Sequence, residues 1–307
     1  MITVIGMIKN AADIIETYIR ANALVADNFV LLNNMCTDRT IDILNSLIRE
    51  GYQIEIIDDN EPAYNQSVKM TKLAKYAVEK YNSDIVIPID DDEILVGPSN
   101  IELNKVLSML PDDVVYQATW RVYVPTEDDD NDICVPKRQK VCFSSKHKTL
   151  GKAIIPGKIC KLPGFMIAQG NHFVIADGEI KIIDLPELRM AHYPCRSEEQ
   201  LKSKALVGWT NYLVTKRKDI WGLQWKNAYD KIKAGDRLGI DEQWKFCFMY
   251  LEDTDENDIE LVFAPIEIDE SAFVIKYTGD NEINAMKNYM ENVEMLAKKY
   301  VNLLKDE

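Results

Sequence analysis

Asp84-Ile85-Val86-Ile87-Pro88-Ile89-Asp90-Asp91-Asp92-Glu93-Ile94-Leu95 is the stretch on which the reading of the fold turns. Residues 85–89 are apolar and mostly β-branched, with one proline. That composition suits a strand buried on both faces in the middle of a parallel sheet. Four acids follow at once. Carboxylates crowded at the end of a buried strand repel one another and are costly to hold unless positive charge sits among them. A hard divalent cation, Mg2+ or Mn2+, answers that need, because such ions prefer oxygen ligands. If the chain stays extended, Asp90 and Asp92 share one face and Asp91 and Glu93 the other, so one pair faces a ligand while the second turns back toward the protein. In open α/β sheets ligands bind just beyond the carboxyl ends of the strands. Taken alone, the segment also reads as a solvated acidic turn after an edge strand.

Before this strand, residues 2–8, 28–33 and 53–57 read as strands, and 11–23, 40–50 and 65–81 as helices between them. Asn10 is placed to cap the first helix and Gly51 to end the second. Val68, Leu73, Ala77 and Val78 form the apolar side of the third. This β-α-β-α-β-α-β order predicts an α/β fold whose mostly parallel sheet is flanked by helices and joined by right-handed crossovers. No GxGxxG follows the first strand, which disfavours a dinucleotide fold. Beyond it, residues 114–124 read as a strand and 127–132 as a solvated acidic loop. Residues 134–183 read as short strands and turns, and 196–217 and parts of 221–250 as helical. Residues 281–304 read as an amphipathic helix with Met286, Tyr289, Met290, Val293, Leu296 and Ala297 on its apolar side; it packs on the domain or mediates homo-oligomerisation.

The chain has 307 residues, 47% hydrophobic and 28% charged, enough for one large globular domain with additions. A net charge of −14 disfavours nucleic acid as a partner and docking through a polybasic patch, although residues 137–152 form a basic island able to serve an anionic substrate. No apolar run reaches the ~18 to 20 residues of a membrane span. The first residues lack a signal peptide's basic start. Six dispersed cysteines with no CxxC pair point to reduced thiols in a cytoplasm rather than to zinc or redox chemistry.

Four stretches, in order, carry a resemblance: Lys9-Asn10-Ala11-Ala12-Asp13-Ile14-Ile15-Glu16; Asn33-Asn34-Met35-Cys36-Thr37-Asp38-Arg39-Thr40; residues 66–74 leading into Asp90-Asp91-Asp92-Glu93; and Gly170-Asn171-His172 with His192-Tyr193-Pro194-Cys195-Arg196-Ser197-Glu198-Glu199-Gln200-Leu201. Over roughly residues 1–215 the chain resembles glycosyltransferase family 2, of the GT-A fold, in its bacterial subgroup with an Asp-x-Asp-Glu motif. It departs from the family pattern at Asn33, Met35, Arg39 and Lys72.

The resemblance implies an inverting hexosyltransferase that takes a sugar from a nucleotide-diphosphate donor, with UDP-sugar as the expectation. The acceptor would be a growing surface glycan or its lipid-linked precursor, and the cofactor Mn2+ or Mg2+. It implies a GT-A domain over 1–250, with a nucleotide-sugar half (1–125) and an acceptor half (126–250), and a helical C-terminal extension over 251–307. The protein would be cytoplasmic or peripheral at the inner membrane face. Asp92 is the implied metal ligand, with His192 either completing the shell through a neutral imidazole or binding the diphosphate. Asp90 is implied at the ribose or a metal-bound water, Asp91 takes the variable middle position, and Glu93 supports the ligands. Asn10, Asn34, Asp38 and Lys72 are implied at the nucleotide, although Asp38 equally reads as a helix cap and Lys72 as a solvated lysine.

Arg196 has the fork geometry for phosphate oxygens, and Ser197 with Gln200 forms a capping box. Inversion needs a base for the acceptor hydroxyl; the resemblance implies a carboxylate or similar group beyond the acidic strand, which the sequence does not single out, with His172 as an outside candidate. Trp120 is either an acceptor-stacking aromatic or a core residue. Two rival functions remain. A sugar nucleotidyltransferase needs a glycine-rich triphosphate loop after the first strand, of which residues 6–10 are a poor version. A non-catalytic nucleotide-sugar-binding protein would differ only in lacking turnover.

Overall fold

A computed structural model describes residues 1–98, 102–215 and 222–303. Lys216, Arg217, Trp221 and Leu304, at the ends of expected helices, lie outside the described residues. The core is an eight-stranded sheet. Its strands are β1 (Ile2–Ile8), β2 (Asn28–Asn33), β3 (Ile54–Asp58), β4 (Ile85–Pro88), β5 (Glu93–Val96), β6 (Val115–Val122), β7 (Gly151–Pro156) and β8 (Ile182–His192). Their order is β3-β2-β1-β4-β7-β6-β8-β5. Neighbours run parallel across β3/β2, β2/β1, β1/β4 and β6/β8, and antiparallel across β4/β7, β7/β6 and β8/β5. The chain is therefore a mixed α/β protein with a large, mostly parallel sheet.

The alternation of β1 shows why it is mostly apolar, with Thr3 the one polar side chain. Ile2, Val4 and Ile8 join the core under helices α1 (Ile15–Asn22) and α2 (Thr40–Glu50), while Ile5 joins the core under α3 (Gln66–Tyr81). Helices thus cover both faces of the early strands. Gly51 ends α2 at φ 113°, a left-handed conformation that favours glycine. At Gly6 a Cβ would come within 2.9 Å of the Ile89 carbonyl oxygen, so the first strand has no room for a side chain there.

Some expectations need correction. Asn10 does not cap α1, because its amide bonds Thr37 instead. Val68 lies outside the apolar side of α3 and is 52% exposed; Met70 and Ala74 take its place in the core. The last helix, Ala285–Leu303, does pack on the domain, but by another face. Asn288 and Asn292 are buried and donate to Ser203, Thr210 and Asn211 of the helix Glu198–Leu213. Met286, Met290 and Val293 point outward instead. Amide pairs satisfied across a helix interface compete successfully with an apolar stripe, and periodicity alone does not reveal them.

Candidate active site

β1 and β2 lie to one side of the point where the chain returns as β4, and their carboxyl ends open into a cavity of about 350 Å³. Asp90, Asp91 and Asp92 all line it. They do not continue the strand: the Glu93 N–H donates to the Asp90 carbonyl at 3.0 Å, closing a turn. The expected alternation of faces is lost in that turn. Only Glu93 turns back, where it accepts from the Trp120 indole at 2.6 Å and the Asp90 N–H at 3.0 Å.

Each acid has its own environment. Asp90 accepts from Gln66 at 3.1 Å, from Asn171 at 3.0 Å and from the Lys152 ammonium. Asp91 accepts from the Lys9 backbone at 3.0 Å; burial and the adjacent Asp92 push it up to about 7. Burial works to raise Asp92 too, but Lys204, His192 and Arg196 outweigh it and hold this carboxyl well below the usual range. The distances from Asp92 are 2.6 Å to Lys204, 3.5 Å to His192 Nε2 and 3.9 Å to Arg196. Burial pushes Glu93 up to about 8 despite Lys152 at 3.3 Å.

The pairing of β8 with β5 explains how His192 arrives. Antiparallel register sets His192 opposite Glu93, and so beside Asp92. Its ring stacks on Trp120 at 4.9 Å and meets Tyr250 edge-on at 4.6 Å. Burial lowers its pKa, so the imidazole is neutral. Its Nδ1 is buried without a hydrogen-bond partner among the described residues. One carboxylate and one neutral imidazole suit a divalent transition-metal ion such as Mn2+ better than Mg2+, which takes oxygen ligands. Asp92, Glu93 and His192 offer ligand atoms within 4.8 Å of one another. Both Glu93 oxygens already accept hydrogen bonds, so Asp92 and His192 are the residues that would hold the ion. Its other positions would fall to substrate oxygens and water.

Gly170-Asn171-His172 is a strap around Asp90. Gly170, at φ 79°, accepts from Lys152 at 2.9 Å and donates to Gln66 at 2.9 Å. Asn171 holds Asp90, and His172 meets the Gly151 carbonyl through Nδ1 at 2.7 Å. A carbonyl only accepts, so the Nδ1 proton is on His172 and the neutral ring keeps its lone pair on Nε2. Burial, with Lys152 nearby, lowers the His172 pKa from 6.5 to about 4. As pH falls through that window the unfolded chain takes up a proton that the native ring refuses, so stability present above 6.5 is lost toward 4. The loss amounts to about 3 kcal/mol at most. Thermal melts near neutrality and at about pH 4.5 should therefore show a smaller drop for His172→Gln than for the parent.

The other residues singled out in the sequence divide. Asn10, Asn34 and Arg196 line the cavity. The Arg196 fork, expected on phosphate, is bound instead to Asp13 at 2.7 and 2.9 Å, which fixes it behind Asp92. Ser197 caps its helix by accepting the Gln200 N–H at 3.1 Å, and Gln200 accepts the Arg196 N–H at 3.0 Å. Asp38 is outside the cavity lining and ties two turns together, accepting from Ala12 and Thr40. Lys72 is exposed and also outside it. Sequence reasoning missed Lys204, Gln66, Tyr64, Trp225 and Tyr250, all in the lining, and singled out Lys152 only as the end of the basic island.

No protein-family model matches the chain, and no curated protein matches it. Among solved structures, the mannosyltransferase PcManGT from Pyrobaculum calidifontis, in complex with GDP-Man and Mn2+, is similar at 9% identity, over 81% of this chain and 73% of that one, with a TM-score of 0.40. HddC from Yersinia pseudotuberculosis is similar at 13% identity, over 61% of this chain and 92% of that one, at 0.34. Glucosyl-3-phosphoglycerate synthase from Mycobacterium tuberculosis, in complex with Mn2+, uridine diphosphate and glucosyl-3-phosphoglycerate, is similar at 15% identity, over 70% and 81% of the two chains, at 0.32. No helix among the described residues is long and apolar enough to cross a membrane.

Proposed function

We propose that the protein is a metal-dependent, inverting glycosyltransferase of the GT-A type. It moves a hexose from a nucleotide-diphosphate donor, with a UDP-sugar as the first choice, to a glycan or lipid-linked acceptor. The observation that carries this reading is the meeting of Asp92 and His192 beside the Lys204 ammonium at the carboxyl ends of the early strands. A carboxylate and an imidazole provide for a cation, and a fixed ammonium faces the same space. A departing diphosphate needs that combination of charges. Bound there, Mn2+ or Mg2+ would neutralise charge growing on the leaving oxygen. Lys204 lies over the Phe246 ring and adds a second positive charge from the protein itself. The unprotonated Nε2 of His172 is the candidate base for the acceptor hydroxyl. Residues 1–125 would form the donor half, 126–250 the acceptor half and 251–307 the extension.

Asn34 is suited to the nucleobase. Its Nδ2 donates to Asp59 at 2.7 Å and to the Glu61 carbonyl at 3.1 Å, which leaves Oδ1 as the acceptor. An acceptor here favours a base with a ring N–H, as uracil has. Asn34→Ala should weaken UDP binding about tenfold, read by calorimetric titration, and leave metal binding intact. Equal affinity in the two proteins would remove Asn34 from the base site.

The same instrument tests the function. UDP, GDP, CDP and TDP are titrated with and without Mn2+. Tight binding of one of them only with the metal supports the reading. No metal-dependent binding of any would overturn it.

A further inference from the structure

Another part of the cavity lining is built differently. Tyr64, Trp225 and Tyr250 line it together with Gly208, Asn211, Gln224 and Glu252. Tyr64 and Trp225 meet edge-on, with ring centroids 5.0 Å apart and planes at 87°. Trp225 is gripped from behind: a Cβ on Gly208 would stand 2.8 Å from its ring, and one on Gly222 3.3 Å. The indole is therefore fixed in place rather than loosely draped over a helix. Tyr250 continues the aromatic wall inward, meeting His192 at 4.6 Å and Trp120 at 5.6 Å. Tyr250 and the Tyr64–Trp225 pair both line the cavity, and Tyr250 packs directly on His192.

The polar groups in this part are neutral or acidic. Gln224 has no hydrogen-bond partner among the described residues, and neither have the Tyr64 and Tyr250 hydroxyls. Among the described residues lining this part there is no lysine or arginine outward of Lys204, and Glu252 stands at the rim. A pyranose ring carries a C–H face for an aromatic plane and a rim of hydroxyls for amides and phenols. Rigid aromatics with adaptable neutral hydrogen-bonding groups provide for both.

We propose that Trp225, flanked by Tyr64 and Gln224, is the platform on which a pyranose of the acceptor stacks. This rests on the transferase reading above and names the residues that hold its acceptor sugar. Stacking at Trp225 sets the ring down in the cavity that Asp92 also lines. The C–H face lies on the indole, and the hydroxyl rim turns toward Tyr64 and Tyr250.

The test is saturation-transfer NMR with methyl glycosides of glucose, galactose, mannose and N-acetylglucosamine, each with UDP or GDP and diamagnetic Mg2+ in place of Mn2+. At least one glycoside should take up saturation from the parent protein. Its signal should fall about fivefold or more in Trp225→Ala and survive in Trp225→Phe, which keeps an aromatic face, while nucleotide binding is unchanged. Circular dichroism confirms that each variant is folded. The proposal is overturned if no glycoside is saturated although nucleotide binds, or if the Trp225→Ala signal equals the parent's. A glycoside held at Trp225 with no nucleotide bound under any condition would instead retire the transferase reading and keep the platform.

Discussion

Asp92→Asn is expected to lower cation-dependent nucleotide binding and sugar transfer by about a hundredfold or more. Asparagine keeps the shape and an oxygen acceptor for Lys204, which lies 2.6 Å from the native carboxylate. It removes the negative charge that a hard cation requires. Arg196 keeps its two bonds to Asp13, so the substitution leaves no buried guanidinium unpaired. A lowered stability, because Lys204 loses its carboxylate partner, together with collapsed cation dependence in a protein that still folds is therefore the expected pair of results. Denaturation and titration of the same preparation read them. Parental cation dependence in a folded Asp92→Asn protein would show that the ion, if any, is held elsewhere.

Lys152→Met should cost the most stability of any single change at the site. The side chain is wholly buried, yet its ammonium bonds Asp90 and the Gly170 carbonyl, lies 3.3 Å from Glu93 and sits over the Trp120 ring. Methionine fills a similar volume and leaves those acceptors without their cation. Breaking a buried ion pair from one side costs about 3–5 kcal/mol. The lower end of that range is expected, because Glu93 is already raised to about 8 and relieves the imbalance by holding a proton. A urea midpoint unchanged from the parent would mean that Lys152 does not anchor the turn.

The first half of the fold was legible because its strands are covered on both faces and so read as continuous apolar runs between amphipathic helices. The acidic cluster marked the end of the sheet, and the resemblance paired Asp92 with His192. What stayed hidden is non-local. The cations that balance the acids stand 62 and 112 positions away, at Lys152 and Lys204, and no local pattern ties either to the turn. Arg196 lines the cavity, but its fork is taken by Asp13, 183 positions earlier, a pairing that no local pattern shows. The last helix was turned around because buried Asn288 and Asn292 find partners only in the folded chain. Trp225 gave no signal, because its fixed position depends on Gly208 of another helix together with Gly222 at the start of its own.

The most direct test of the central claim is release of nucleoside diphosphate from a panel of UDP-, GDP-, CDP- and TDP-sugars, with Mn2+ and then with a chelator. Slow release from one nucleotide class, stopped by the chelator and absent in Asp92→Asn, is the predicted result. Release that ignores both the chelator and the substitution, or no release from any donor, would contradict a metal-dependent sugar transferase at this site.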